Sequence, residues 1–260
     1  MNNWKDITAW RKARRAELIA RRAALSREQR APWNERITDL LWRGFPITAG
    51  MVIGFCWPFK GEFDARFVIR RWREQGATAA LPGVVAKGQP LQFRNWWPGV
   101  TMAPGVYDIP VPSGSDVVVP DVALVPLNGF DERGYRLGYG GGYFDRTLAA
   151  YDQRMLAIGI GYELARLPTI YPQAHDIPMD FVVTEAAIYA CEEGKLAVLD
   201  EGQFRLRAAN ILQARGLPRC GGARASGPGY SSPPCYAGEF PGYWGEDSKP
   251  DGSSSAPPRK

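Results

Sequence analysis

The pattern of apolar and polar positions predicts helices in the N-terminal part of the chain. Residues 5–25 are rich in Ala, Arg, Leu and Glu and contain neither Pro nor Gly, which favours one long helix. Ser26 begins a second helix, because its side chain can cap the first turn and Gln29 completes a capping box. A third helix is predicted over residues 64–75, where Phe, Val and Trp recur at helical spacing.

Short apolar runs predict buried strands along the rest of the chain. These runs are 51–56, 77–81, 92–94, 117–126, 155–161 and 181–184, with 188–190 as an edge strand. Apolar strands that alternate with helices are typical of a parallel sheet covered on both faces. We therefore predict an α/β fold, a three-layer sandwich with a mostly parallel sheet and N-terminal helices.

The composition changes at about residue 207. Gly, Pro and Ser fill 24 of the 54 positions of residues 207–260. A segment of this kind buries too little apolar surface to offset the entropy lost on ordering it. We predict an α/β domain over residues 1–206 and a disordered tail over residues 207–260.

The charge is uneven, since residues 1–43 hold 11 Lys and Arg against 5 Asp and Glu in a chain of net charge +5. Such a basic segment suits either nucleic acid or a polyanionic small molecule. No apolar run approaches the roughly 18 residues of a membrane span. The four cysteines are scattered and form no Cys-x-x-Cys pair, so we expect free thiols, no zinc site and a cytoplasmic location.

The most informative segment is 136–145, which reads Arg-Leu-Gly-Tyr-Gly-Gly-Gly-Tyr-Phe-Asp. A stretch with four glycines can turn successive backbone N–H groups inward and bind phosphate. Arg136 adds a planar charged fork for phosphate oxygens. Asp145, in the first turn of a helix predicted to reach Leu148, suits a hard cation such as Mg²⁺. The pattern predicts a nucleotide phosphate site.

Two familiar glycine motifs are excluded by the residues that follow Gly142. A P-loop needs Lys and then Ser or Thr there, but Tyr143 and Phe144 follow. The dinucleotide-binding fingerprint needs a glycine at position 143. A merely flexible loop would explain the glycines but neither the flanking charges nor the paired aromatic residues.

Residues 125–135 read Val-Pro-Leu-Asn-Gly-Phe-Asp-Glu-Arg-Gly-Tyr and lead directly into the glycine segment. Together the two stretches resemble the 5-formyltetrahydrofolate cyclo-ligase (methenyltetrahydrofolate synthetase) family. Its members carry a hydrophobic strand, a Pro, Phe-Asp, and then Arg-Leu-Gly-x-Gly-x-Gly-Tyr-Tyr/Phe-Asp. The resemblance covers about residues 5–200. It implies ATP-dependent cyclisation of 5-formyltetrahydrofolate to 5,10-methenyltetrahydrofolate through phosphorylation of the formyl oxygen, with Mg²⁺.

The resemblance also implies site residues. The ATP-binding set is Arg11, Arg15, Arg136, Leu137, Gly138, Tyr139, Gly140, Gly141, Gly142, Tyr143 and Phe144, with Arg136 also catalytic and Arg11 standing where Lys is usual. The folate-binding set is Trp57, Glu62, Tyr107, Tyr139, Gly140, Gly141, Gly142 and Tyr143. The Mg²⁺ ligands implied are Asp145 and Asp180.

Two alternatives remain open from the sequence. The chain could be a fold relative that uses the same phosphate loop on another substrate, because a fold does not fix function. It could also be a nucleic-acid-binding protein that uses the basic N-terminus and the tail, and its binding would then fall steeply with salt. If the chain is an enzyme of this family, we expect a small folate substrate, no nucleic acid, no membrane, and a monomer or homodimer.

Overall fold

The computed structural model describes residues 3–106, 109–151 and 155–218. Its helices are α1 Trp4–Ala23, α2 Arg27–Gly44, α3 Arg66–Glu74, α4 Tyr143–Ala150 and α5 Glu201–Ala214. Its strands are β1 Val52–Gly54, β2 Thr78–Val84, β3 Leu91–Trp96, β4 Met102–Pro104, β5 Pro110–Pro112, β6 Val117–Val118, β7 Val122–Pro126, β8 Gly129–Asp131, β9 Arg136–Leu137, β10 Leu156–Ile160, β11 Arg166–Leu167, β12 Phe181–Val183, β13 Ile188–Glu192 and β14 Lys195–Leu199.

One large sheet organises the described part of the chain. Its nine strands run in the order β14-β13-β12-β10-β7-β1-β2-β3-β6. The central strands from β12 to β2 pair in parallel, whereas β3, β6, β13 and β14 pair antiparallel at the two sides. The predicted α/β class is confirmed, with a sheet that is parallel at its centre and antiparallel at both flanks.

Alternate residues of the central strands face two separate cores. Ile53 and Leu124 pack with α2, α3 and α5 on one face of the sheet. Val52 and Val125 pack on the other face, together with Leu148 of α4. Strands buried on both faces are apolar at nearly every position, which is why the sequence shows continuous apolar runs. The result is the predicted arrangement of three layers.

Local signals at the helix starts act as expected. The capping box predicted at Ser26 and Gln29 is present, with reciprocal hydrogen bonds between side chain and backbone. α2 then continues through Pro32. No described helix is both long enough and apolar enough to cross a bilayer.

The predicted boundary between domain and tail at residue 206 is wrong. α5 runs through it to Ala214, and Ala208, Leu212 and Leu217 lie in the core beneath the sheet. Arg215, the first residue after α5, forms an ion pair with Asp180. Residues 207–218 therefore belong to the folded domain, because their apolar side chains have a surface to cover. The remainder of the predicted tail, residues 219–260, lies outside the described residues.

Candidate active site

The glycine-rich segment forms a tight loop between β9 and α4. Gly140 and Gly142 have φ angles of 97° and 65°, a conformation that residues with a Cβ rarely adopt. Gly142 directly precedes α4, so the N–H groups of the first turn of the helix adjoin the loop. A Cβ on Gly141 would lie 2.7 Å from the Tyr143 ring. The loop thus has backbone geometry of the kind that binds anions, and phosphate binding there stays a prediction.

The two charged ends of the motif bind each other. The Arg136 guanidinium lies 3.0 Å from the Asp145 carboxylate. The N–H of Ile177 donates to Asp145 at 3.1 Å, and its carbonyl accepts from Arg136 at 3.2 Å. Burial lowers the pKa of Arg136, and the nearby Asp145 carboxylate opposes that shift. The ion pair between Arg136 and Asp145 thus closes the loop at its base, and their contacts with phosphate and Mg²⁺ stay predictions.

Arg15 of α1 also contacts the glycine loop. Its Nε donates to the carbonyl oxygen of Gly138 at 2.5 Å. A Cβ on Gly140 would lie 3.3 Å from the Arg15 guanidinium carbon. Burial and the neighbouring Arg11 both lower the pKa of Arg15. This predicted ATP-binding residue is thus placed at the loop.

Arg11, the other predicted ATP-binding arginine of α1, is engaged elsewhere. Its guanidinium donates to the carbonyl oxygens of Ile170 and Tyr171 at 2.9 and 2.8 Å. It also forms a 2.5 Å ion pair with Asp176. These contacts tie α1 to the segment before β12, and direct contact of Arg11 with ATP stays a prediction.

A buried hydrogen-bond network joins the glycine loop to the segment that follows β1. The Tyr139 hydroxyl donates to Oε1 of Glu62 at 2.6 Å. The N–H of Phe59 donates to the other carboxylate oxygen of Glu62 at 3.1 Å. Glu62 is only 7 % exposed. Of the residues predicted for the two substrates, Glu62 and Tyr139 are therefore in direct contact.

Arg22 of α1 completes this network and was not predicted as a site residue. Its Nη2 donates to the Tyr139 hydroxyl at 3.2 Å and lies 3.5 Å from the Glu62 carboxylate. Its other nitrogens donate to the carbonyl oxygens of Lys60 and Leu127. Arg22 thus connects the loops that follow β1 and β7. The available sequence signal is its place two helical turns after Arg15, on the same face of α1.

Burial dominates the electrostatics of this network. It raises the pKa of Glu62, while Arg22 and the hydrogen bond from Tyr139 act in the opposite direction. Burial and the Glu62 carboxylate also raise the pKa of Tyr139. A phenol with a raised pKa remains a hydrogen-bond donor at neutral pH, so Tyr139 holds the orientation of Glu62.

The predicted aromatic position Trp57 is buried beside this network. Its ring packs edge-on against Trp96 at 5.7 Å between centroids, and the Arg66 guanidinium lies 4.7 Å from its centre. Among the other predicted residues, Leu137 is buried, and Phe144 packs against the core beneath the Arg136 guanidinium. Tyr107 lies outside the described residues.

Asp180, the other predicted Mg²⁺ ligand, contacts Arg215 and the backbone of β10. Its carboxylate pairs with Arg215 at 2.5 Å and accepts from the N–H of Ala157 at 2.8 Å, at the amino-terminal end of β10. The carboxylates of Asp145 and Asp180 share no hydrogen-bond partner. Within the described ranges, no three His, Cys, Asp or Glu side chains are grouped so as to hold a metal ion. Both aspartates are paired with arginines in this structure, and their pairing as metal ligands stays a prediction.

Comparisons with known proteins identify relatives of this chain. The model of the 5-formyltetrahydrofolate cyclo-ligase family matches residues 7–185. A 5-formyltetrahydrofolate cyclo-ligase of Escherichia coli K12 is 29 % identical over 178 residues, which are 65 % of this chain and 97 % of that protein. The enzyme of the same name from Mycolicibacterium smegmatis is 36 % identical over 123 residues, which are 43 % of this chain and 61 % of its own.

Solved structures show the same fold. The 5,10-methenyltetrahydrofolate synthetase of Aquifex aeolicus, determined by NMR, superposes with a TM-score of 0.60 at 27 % identity, covering 73 % of this chain and 96 % of that one. The synthetase of Mycoplasma pneumoniae superposes with a TM-score of 0.57 at 22 % identity, covering 67 % and 98 %. The matched region contains the glycine loop, Arg15, Arg22 and Glu62. This chain belongs to the 5-formyltetrahydrofolate cyclo-ligase family.

Proposed function

We propose that this chain catalyses the ATP-dependent cyclisation of 5-formyltetrahydrofolate to 5,10-methenyltetrahydrofolate, with ADP and phosphate as the other products. Family membership supports the reaction class, and the names of the relatives supply the substrate and product. The observation that carries the proposal is the 2.6 Å hydrogen bond between Tyr139 of the phosphate loop and Glu62. It brings the residues proposed for ATP and for folate into one site.

The proposed chemistry has two steps. The formyl oxygen on N5 attacks the γ-phosphorus of ATP, and ADP leaves. N10 then attacks the activated carbon and loses its proton, and phosphate leaves as the ring closes. Phosphoryl transfer needs in-line positioning and neutralisation of charge more than it needs a protein nucleophile.

The described residues divide these tasks. Backbone N–H groups of the glycine loop and the first turn of α4 bind the phosphates, and Arg15 supplies positive charge beside Gly140. Glu62, oriented by Tyr139 and Arg22, binds the folate ring system. Trp57, which belongs to the apolar core, lines the apolar side of the proposed folate position. Arg136 and Asp145 act indirectly, because they hold the loop in shape.

Mg²⁺ remains an expectation that rests on the resemblance. The contacts of Asp145 and Asp180 do not fit the pair of ligands first expected, since each carboxylate is occupied by an arginine. No step of the proposal is therefore assigned to a metal bound by these residues. A cytoplasmic location and a monomeric or homodimeric state likewise remain predictions.

The contacts of the basic N-terminal segment favour an enzyme over a nucleic-acid-binding protein. Arg11, Arg15 and Arg22 turn toward the body of the domain and bind its carbonyl oxygens and carboxylates. A surface that binds nucleic acid needs such charges free to contact phosphates on the outside.

The test of the proposal is to follow the absorbance of the methenyl product in the presence of ATP, Mg²⁺ and 5-formyltetrahydrofolate. We expect one ADP for each product molecule formed. Gly141→Val should abolish turnover while thermal unfolding remains cooperative, because its Cβ would displace the Tyr143 ring from the loop. Wild-type protein that binds both substrates but forms no product would contradict the assigned reaction.

A further inference from the structure

Arg146, in the first turn of α4, folds its side chain back over the glycine loop. Its Nη2 donates to the carbonyl oxygen of Gly141 at 2.5 Å. A Cβ built on Gly142 would lie 3.0 Å from its Nη1. The guanidinium carbon also lies 4.9 Å from the centre of the Tyr143 ring, a cation–π distance. These contacts hold the charge of Arg146 against the loop.

Within the described ranges, no carboxylate pairs with this charge. Neither Arg146 nor Arg15 forms a salt bridge with a carboxylate of the described residues, whereas Arg22 approaches Glu62 and Arg136 pairs with its own acid. The acid next to Arg146 in sequence is Asp145, which Arg136 already occupies. Two guanidinium groups that have no carboxylate partner in the described part of the chain therefore lie against one glycine loop, which is the charge arrangement that a polyanion requires.

Arg146 also retains free hydrogen-bonding capacity. A guanidinium has five N–H donors, and the contact with Gly141 uses one of them. Its Nε is buried and has no hydrogen-bond partner within the described parts of the chain. A buried donor without a partner costs free energy. An acceptor that arrives with a ligand would recover that cost.

We propose that Arg146 is a second phosphate-binding arginine of the ATP site, which contacts the terminal phosphates from the α4 side while Arg15 contacts them from the α1 side. This inference rests on the proposed function. The terminal phosphates are the fitting partner because they carry most of the negative charge of the nucleotide. Because both arginines touch the loop before the ligand binds, little side-chain entropy is lost on binding. Charge on the transferring phosphoryl group is thus neutralised by two arginines at a preformed loop.

Calorimetry on the full chain tests this role with ATP, AMP and 5-formyltetrahydrofolate as probes. We expect Arg146→Gln to weaken ATP binding by roughly 10- to 100-fold, the usual effect of losing a charged hydrogen bond. AMP and 5-formyltetrahydrofolate should bind the variant as they bind the wild type, and Arg146→Lys should restore part of the ATP affinity. The matched control is Arg133→Gln, which removes the same charge from the exposed turn between β8 and β9.

The outcomes separate the two proposals. If Arg15→Gln weakens ATP binding but Arg146→Gln leaves it unchanged, the role of Arg146 is refuted and the ATP site stands. Equal losses of affinity for ATP, AMP and 5-formyltetrahydrofolate would show that Arg146 only maintains the shape of the loop. They would also overturn its proposed contact with phosphate. A wild-type protein that binds no ATP would instead refute the proposed function.

Discussion

The Arg136 guanidinium and the Asp145 carboxylate, nine positions apart in sequence, lie 3.0 Å from each other beneath the glycine loop. Ile177 extends this ion pair, since its backbone N–H donates to Asp145 and its carbonyl accepts from Arg136. The loop is therefore closed at its base by two opposite charges. Its glycines can then take their positive φ angles without the flanking chain drifting apart.

Asp145→Asn should consequently destabilise the fold as well as weaken ATP binding. The amide can still accept from Ile177, but it leaves the buried Arg136 guanidinium without the carboxylate that pairs with it. Breaking a buried ion pair from one side costs on the order of 3 kcal/mol, which urea unfolding would detect. The matched control is the double variant Arg136→Leu/Asp145→Leu, which removes both charges and should recover much of the lost stability. An Asn variant as stable as the wild type would show that the pair does not hold the loop.

Glu62 should make the stability of the protein depend on pH. Burial raises its pKa, so the folded protein binds this proton more tightly than the unfolded chain does. The resulting stabilisation is fully present below the unfolded pKa of about 4.3 and is lost as pH rises through the raised folded value. We therefore expect the unfolding free energy of the wild type to fall, relative to Glu62→Gln, as pH increases from the unfolded pKa of about 4.3 through the raised folded pKa.

Two other contributions to this comparison have to be separated from the effect of burying Glu62. The attraction between the Glu62 carboxylate and Arg22 is lost in Glu62→Gln, and because it exists only when Glu62 is ionised, it opposes the effect of burial on the slope. Glu35→Gln, at an exposed position of α2, controls for the loss of a surface carboxylate. A wild type that gains stability over Glu62→Gln as pH rises would mean that Arg22 outweighs burial.

Asn128→Leu should stabilise the protein. Asn128 is 2 % exposed at the junction of β7 and β8, and neither polar atom of its side chain has a hydrogen-bond partner in the described structure. Burying a polar group without a partner costs about 1–3 kcal/mol, which an apolar side chain of similar volume avoids. The midpoint of thermal unfolding should therefore rise. If it falls instead, Asn128 has a partner in solution, such as bound water.

Most of the correctly predicted parts of the fold depend on interactions between residues that are close in sequence. The capping box at Ser26 and Gln29, the apolar strands and the restricted glycines each depend on a few neighbouring residues. Such interactions are encoded in short stretches of sequence, so pattern and spacing suffice to find them.

Long-range contacts were the part that the sequence could not supply. Arg22 binds groups that lie 38, 105 and 117 positions away, at Lys60, Leu127 and Tyr139. On α1 it looks like any charge on a solvated helix face, and only the tertiary fold brings these partners together. The same reason explains why the ion pairs of Arg136 with Asp145 and of Asp180 with Arg215 could not be predicted from the sequence.

The C-terminal boundary of the domain was predicted too early for a different reason. Asp200 and Gln203 form a capping box that starts α5. The composition of residues 207–260 as a whole obscured it, because the Gly-, Pro- and Ser-rich part lies mostly after Pro218. The helix covers the core with Ala208 and Leu212.

We expect a chain that ends after Pro218 to keep cooperative unfolding and cyclo-ligase activity within a few-fold of the full chain. A chain that ends after Leu206 should lose cooperative unfolding, because it lacks Leu212, Leu217 and the Arg215 partner of Asp180. Removing Leu212 alone, as Leu212→Ala, costs about 2–5 kcal/mol and serves as a milder version of the same test. Circular dichroism during heating, followed by the absorbance assay, separates the two truncations. A folded and active chain ending at Leu206 would show that α5 is not part of the domain, whereas a folded but inactive chain ending at Pro218 would show that residues 219–260 contribute to the site.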